Sequence, residues 1–201
     1  MHAVDPRLQL FRDVLFRIPP QHYNTLRTIV LFFLRVLQEN TDKINSSGLG
    51  VIFGPTMLFS EDPMVLDGPL VATAMLDVGI ALWPRPLGME FNADSLSIVN
   101  FLVDALESTD EFGREHIKEE GVIRLSGTQT KTTKAVELFS KFGPKKEFLA
   151  DLVTHDIVDV LKKFIRQHRG GLILPELQGR FLQASSAPGM SYRLICNKNG
   201  V

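Results

Sequence analysis

The sequence predicts an all-α fold, and three observations carry that prediction. Apolar residues recur at helical spacing in separate windows along the chain. Glycine- or proline-containing breaks stand between those windows. No stretch of several residues alternates apolar and polar as a half-buried strand would.

The windows follow in order. After the break at Pro19-Pro20, Leu26, Ile29, Val30, Phe33, Leu34 and Leu37 form one apolar face. Val71, Ala74, Met75, Val78 and Leu82 form a second, and Leu96, Val99, Leu102, Val103 and Leu106 a third, with Asp94 or Ser95 placed to cap it. Ala135, Leu138, Phe139 and Phe142 form a fourth, stopped by Gly143-Pro144. Ile157, Val160, Leu161, Phe164 and Ile165 form a fifth, which follows Thr154 as candidate cap. Further breaks are expected at 45–50 (NSSGLG), 61–69 (EDPMVLDGP) and 84–88 (PRPLG), the last being the best domain boundary. The segment 185–201 has no amphipathic face and predicts a poorly ordered tail.

Composition narrows the function class. The chain has 201 residues, of which 44% are hydrophobic and 22% charged, proportions ordinary for a globular protein. A net charge of −1 gives no whole-chain footprint for nucleic acid or an anionic membrane. One cysteine, Cys196, excludes an internal disulfide framework and a cysteine-based zinc cluster. The N-terminal stretch MHAVDPRLQLFRDV has no signal-peptide core. The apolar runs at 29–36 and 69–83 carry Arg35 and Asp77 and are shorter than the ~20 residues of a membrane span. These features predict a soluble cytoplasmic protein without membrane insertion or nucleic-acid binding.

No stand-alone catalytic centre is readable. The five histidines are scattered, with no HExxH or other paired metal spacing. Ser126 is not in a GxSxG elbow, and Cys196 lies in the tail. GPKKE (143–147) lacks the frame of a phosphate loop. No cofactor or metal is implied. One stretch invites a different question: in EEGVIRLSGTQTKT (119–132), Arg124 sits among Val122, Ile123 and Leu125 between Gly121 and Gly127, and nothing acidic follows until Glu137. A surface turn arginine is the plain reading, and an arginine held out for another molecule's substrate is the sharp one.

Three segments together resemble the RhoGAP family, all-helical domains that accelerate GTP hydrolysis by Rho-type small GTPases. Gly121–Gly127 (GVIRLSG) resembles the family's G-[ILV]-[FYI]-R-x-[SP]-G loop, whose arginine is the finger inserted into the GTPase. VLKKFIRQ (160–167) is similar to its LLKxFLRE helix and places Lys162 and Arg166 one turn apart. Residues 18–58, ending in GLGVIFGPTML, resemble its NKM…NLAxVFGPxLL segment. The resemblance implies a GTPase activator with Arg124 as arginine finger. Lys162 and Arg166 would support the finger and contact the partner, a Rho-family GTPase in its GTP-bound form. The alternative is a small-GTPase-binding module with weak or lost catalysis.

The segments stand in an unexpected order. Residues 5–80 resemble the family's C-terminal half and 86–184 its N-terminal half, the reverse of the usual sequence. A circular permutation and the truncated middle of a tandem pair both account for this. Either half alone would expose its helices' apolar faces at ~25 cal/mol per Å², so one composite core is expected. The family's asparagine in NLAxVFGP falls at Gly48, its NKM reads Asp42-Lys43-Ile44, and its LPEPL has become HRGGLIL (168–174). These departures bear on catalysis more than on fold, and predict stimulation weaker than a typical member gives.

Overall fold

Each apolar window of the sequence becomes a helix. A computed structural model of the chain describes residues 6–58, 67–83, 94–109, 113–167 and 172–188. Among the described residues there are eight α-helices: α1 (Pro6–Leu15), α2 (Pro20–Glu39), α3 (Ser46–Met57), α4 (Asp67–Val78), α5 (Asp94–Glu107), α6 (Gln129–Phe142), α7 (Thr154–Gln167) and α8 (Pro175–Ser186). Short 3-10 turns cover Gly79–Leu82, His116–Lys118 and Lys146–Leu149. Strand-like pairing among the described residues is confined to two isolated bridges, Leu58 with Ile173 and Thr109 with Glu115. The class is all-α, as expected.

Local chemistry sets the helix ends. Pro20 and Pro175 open α2 and α8, where a missing N–H costs nothing. Gly143 closes α6 with φ +72, its N–H donating to the Phe139 carbonyl. Asn45 caps α3, its side-chain oxygen accepting the Gly48 N–H at 2.8 Å. That cap corrects the expected break at 45–50: residues 46–50 are already the first turn of α3. Similarly α4 begins at Asp67, inside the break expected at 61–69. The boundary expected at 84–88 lies outside the described residues, as does the approach to the Asp94 end of α5. Asn45→Ala should cost about 1 kcal/mol. Denaturant unfolding is the measurement, and a loss under about 0.3 kcal/mol would mean the cap contributes nothing.

The two parts of the chain share one hydrophobic cluster. Phe11, Leu26, Phe33, Phe53 and Met75 from the first part join Leu102, Phe139, Leu161 and Phe181 from the second. The packing pairs cross between them: α1 with α8, α2 with α5, α4 with α8, and α3 with α7. Phe11 meets Phe181 with ring centroids 6.0 Å apart. The Ile173 N–H donates to the Met57 carbonyl at 3.1 Å. His22 Nδ1 donates to the Leu172 carbonyl at 3.1 Å. A composite core is therefore what the helices build.

Three details differ from the periodicity reading. Helix α2 buries Phe32 and Val36 besides the expected face, so it is embedded on more than one side. In α6, Val136 is buried while Phe142 is 50% exposed; Phe142 sits in the last turn, beyond the reach of α7, and packs at the surface against Phe148 and the Lys141 and Lys145 ammonium groups. Helix α8 continues through Ser186, past the expected start of the tail, because Ala184 and Ser185 are buried against the fold. The rest of that tail, from 189, lies outside the described residues.

Candidate functional site

The Arg124 loop is shaped by what lies on either side of the arginine. Gly121 has φ +70, a left-handed conformation that a β-carbon disfavours. Its carbonyl accepts the N–H groups of Arg124 (2.9 Å) and Leu125 (2.8 Å), folding the chain back into a tight turn. Val122 and Ile123 are driven into the core, with 4% and 2% of their surface left exposed. The next residue is thereby turned outward. Arg124 is exposed, and its guanidinium meets no hydrogen-bonding or charged partner among the described residues.

Arg124 lies on the wall of a groove of about 680 Å³. Glu119–Arg124 form one side, and the end of α2, the 41–44 turn and the start of α3 form the other. Asn45 and Gly48 both line it. The oxygen of Asn45 is engaged in capping, and Gly48 offers no side chain, so the position of the family's asparagine is vacant of polar chemistry.

Helix α7 holds the loop from behind. Lys162 Nζ donates to the Ile123 carbonyl at 3.0 Å and to Asp159 Oδ1 at 3.2 Å. It also stands 5.8 Å from the centre of the Phe53 ring in α3. The three segments singled out in the sequence thus meet at one ammonium group. Arg166 behaves differently: it is exposed one turn further along α7, about 6 Å away along the axis, and has no partner among the described residues. Neither Lys162 nor Arg166 lines the groove. Lys162 points inward to the loop backbone, whereas Arg166 is exposed.

Several supports were not read from the sequence. Asn40, buried at the end of α2, donates through Nδ2 to the Val36 and Ile117 carbonyls, both at 3.0 Å. Lys118 bridges Glu115 (3.0 Å) and Glu39 (3.2 Å), and its hydrogen bonds to Glu115 and then Glu39 hold its pKa above the ordinary lysine value. His155 Nδ1 lies 3.4 Å from Glu119, and His116 Nδ1 lies 2.8 Å from Thr154 Oγ1. Asp159 Oδ2 accepts the Gly127 N–H at 2.8 Å, and Asp156 Oδ1 the Thr128 N–H at 2.6 Å. The only sequence signal for the last two is that Asp156, Asp159 and Lys162 recur at three-residue steps on one face of α7. Among the described residues no three His, Cys, Asp or Glu side chains group as a metal ion would need. Nor is any helix there long and apolar enough to cross a membrane.

Known proteins match stretches of this sequence. Beta-chimaerin of Rattus norvegicus is 38% identical over 55 residues, 27% of this chain and 19% of that protein. GEM-interacting protein of Homo sapiens is 33% identical over 75 residues, 36% of this chain and 8% of that protein. Rho GTPase-activating protein 29 of Danio rerio is 33% identical over 67 residues, 33% of this chain and 5% of that protein. The matched stretches are thus under a fifth of each relative's length. No solved structure matches at a significant level. The RhoGAP domain model matches in two blocks, residues 1–62 and 98–198, as an exchanged order of the family's halves would produce. With well over half of the sequence matched and every helix in an all-α fold, this chain belongs to the RhoGAP domain family.

Proposed function

We propose that this domain activates GTP hydrolysis by Rho-family small GTPases in their GTP-bound form, acting in cytoplasmic signal transduction with Arg124 as its arginine finger. The observation that carries the reading is the exposed Arg124 guanidinium at the groove wall, without a partner among the described residues, on a loop whose backbone Lys162 holds at 3.0 Å. GTP hydrolysis builds negative charge on the bridging and γ-phosphoryl oxygens, and a guanidinium supplied in trans stabilises it. Arginine suits the task because its planar fork stays charged and donates to more than one oxygen. Lys162 then acts as a positioning residue for the finger, and the exposed Arg166 as a contact to the GTPase. The nucleotide and its metal ion come with the partner, so this chain needs no cofactor of its own.

We propose further that residues 5–80 and 86–184 are the C-terminal and N-terminal halves of one such domain in exchanged order. The shared cluster and the crossed helix pairs support this reading.

Gly48 supports a second reading, a binding module with little catalysis, since the groove lacks a polar side chain there. Phosphate release from GTP-loaded Rho-type proteins, measured beside direct binding, separates the two. Faster release supports activation, and binding without it selects the module. Gly48→Asn probes the same point. A β-carbon at Gly48 would meet Asn45 and Ile44 only at 3.4 Å, and φ is not positive there. The variant should fold with stability equal or a few tenths of a kcal/mol higher, and stimulate release several-fold more than wild type. Unchanged release at equal binding would show that the missing asparagine does not limit this domain.

A further inference from the structure

Two carboxylates of α7 are left over by the motifs, and both are aimed at the Arg124 loop. We infer that Asp159, seconded by Asp156, is a positioning residue that fixes the outgoing end of this loop as Lys162 fixes its incoming end. The inference rests on the proposed role of Arg124 and adds to it how the guanidinium is kept in place.

The bonds close a ring. The Ile123 carbonyl accepts from Lys162 Nζ (3.0 Å), which also donates to Asp159 Oδ1 (3.2 Å). Asp159 Oδ2 then accepts the Gly127 N–H (2.8 Å). Arg124, Leu125 and Ser126 are all that lies between the two anchored residues. One position on, Asp156 accepts the Thr128 N–H with Oδ1 (2.6 Å) and the Val153 N–H with Oδ2 (3.2 Å), tying the loop exit to the start of α7. Bonds to an ionised carboxylate are among the stronger kinds. These are also shielded from water: Asp156 is fully buried, and the Asp159 and Lys162 side chains are 17% and 12% exposed.

Gly127 gives an independent reason to read this as a close fit. A β-carbon there would stand 2.6 Å from both Asp156 Cα and Oδ1. The loop backbone therefore lies directly on α7, at a distance only glycine allows. A three-residue span with both ends fixed on one helix has little freedom to lose when a partner docks, which is the physical basis of preorganisation.

The pairing has an electrostatic consequence as well. With Asp159 beside it, Lys162 is neutralised as a unit, and its charge is committed within the domain. Removing the carboxylate should leave an unbalanced ammonium behind the loop while releasing the Gly127 N–H. An anionic nucleotide would then be attracted no less, but the guanidinium would be held less well.

Asp159→Ala in the full chain tests this, with amide hydrogen exchange, thermal unfolding and single-turnover phosphate release as readouts. Exchange at Gly127 should rise roughly tenfold or more, as expected for loss of a charge-assisted bond. Maximal release with saturating domain should fall roughly tenfold, while the half-saturating domain concentration stays equal or drops. Asp159→Glu should recover part of the rate. Unchanged exchange at Gly127 in a folded variant would overturn the inference. So would raised exchange with an unchanged maximal rate, or equal losses in both kinetic quantities tracking a lowered melting temperature. If wild type itself stimulates no release, the proposed activity fails on its own, and exchange at Gly127 still decides whether Asp159 holds the loop.

Discussion

Arg124→Ala is expected to remove nearly all stimulated GTP hydrolysis, a loss on the order of 10³ in rate if the finger acts with the strength such arginines show. Folding should be unaffected to within about 0.5 kcal/mol, because the side chain is exposed and bonded to nothing among the described residues. Binding to a GTP-loaded partner should weaken little, since the guanidinium acts on charge that develops at the transition state. The three readouts must separate: release lost, binding kept, melting temperature kept. Equal stimulation by wild type and variant would reduce Arg124 to a turn residue. A loss of binding that matched the loss of rate would make it a docking contact instead.

Gly54→Ala is expected to be strongly destabilising. Gly54 of α3 and Gly68 of α4 bring their backbones into direct contact, and a β-carbon on Gly54 would overlap the Pro69 nitrogen and the Gly68 carbonyl. These obstacles are main chain, so no rotamer change relieves them, and the helices must part. Overpacking between rigid backbones costs about 3 kcal/mol or more, which is a large share of the stability of an ordinary domain. The melting temperature should fall by roughly 10 °C. A shift under about 2 °C would show that α3 and α4 separate freely. The glycine of the FGP motif is thus explained by packing. It also matters for the site, because Phe53 beside it stands against Lys162.

The legible parts of this protein were those written in local spacing. Leu26, Ile29 and Phe33 announce α2, and Ile157, Leu161 and Ile165 announce α7, because an amphipathic stripe is a property of one segment alone. Helix α3 was harder. Its residues are apolar all round and interrupted by Gly48, Gly50, Gly54 and Pro55, so NSSGLG reads as a break. What makes it a helix is a cap at Asn45 and a neighbour, α4, that packs against the bare glycine backbone. Propensity alone argues against it, and tertiary contact overrides propensity.

The sequence by itself determined the class, the apolar faces and the placing of Arg124 between two glycines, because each depends on residues close along the chain. Only the tertiary structure decided which cations do what. Lys162 and Arg166 look equivalent at four-residue spacing, yet one is spent on Ile123, Asp159 and Phe53 while the other is left free among the described residues. It likewise decided that Asp156 and Asp159 face the loop, through bonds spanning 28 and 32 residues. Such pairings follow from how α7 lies across the turn, and a distance through space between helices has no signature in the order of residues along one of them.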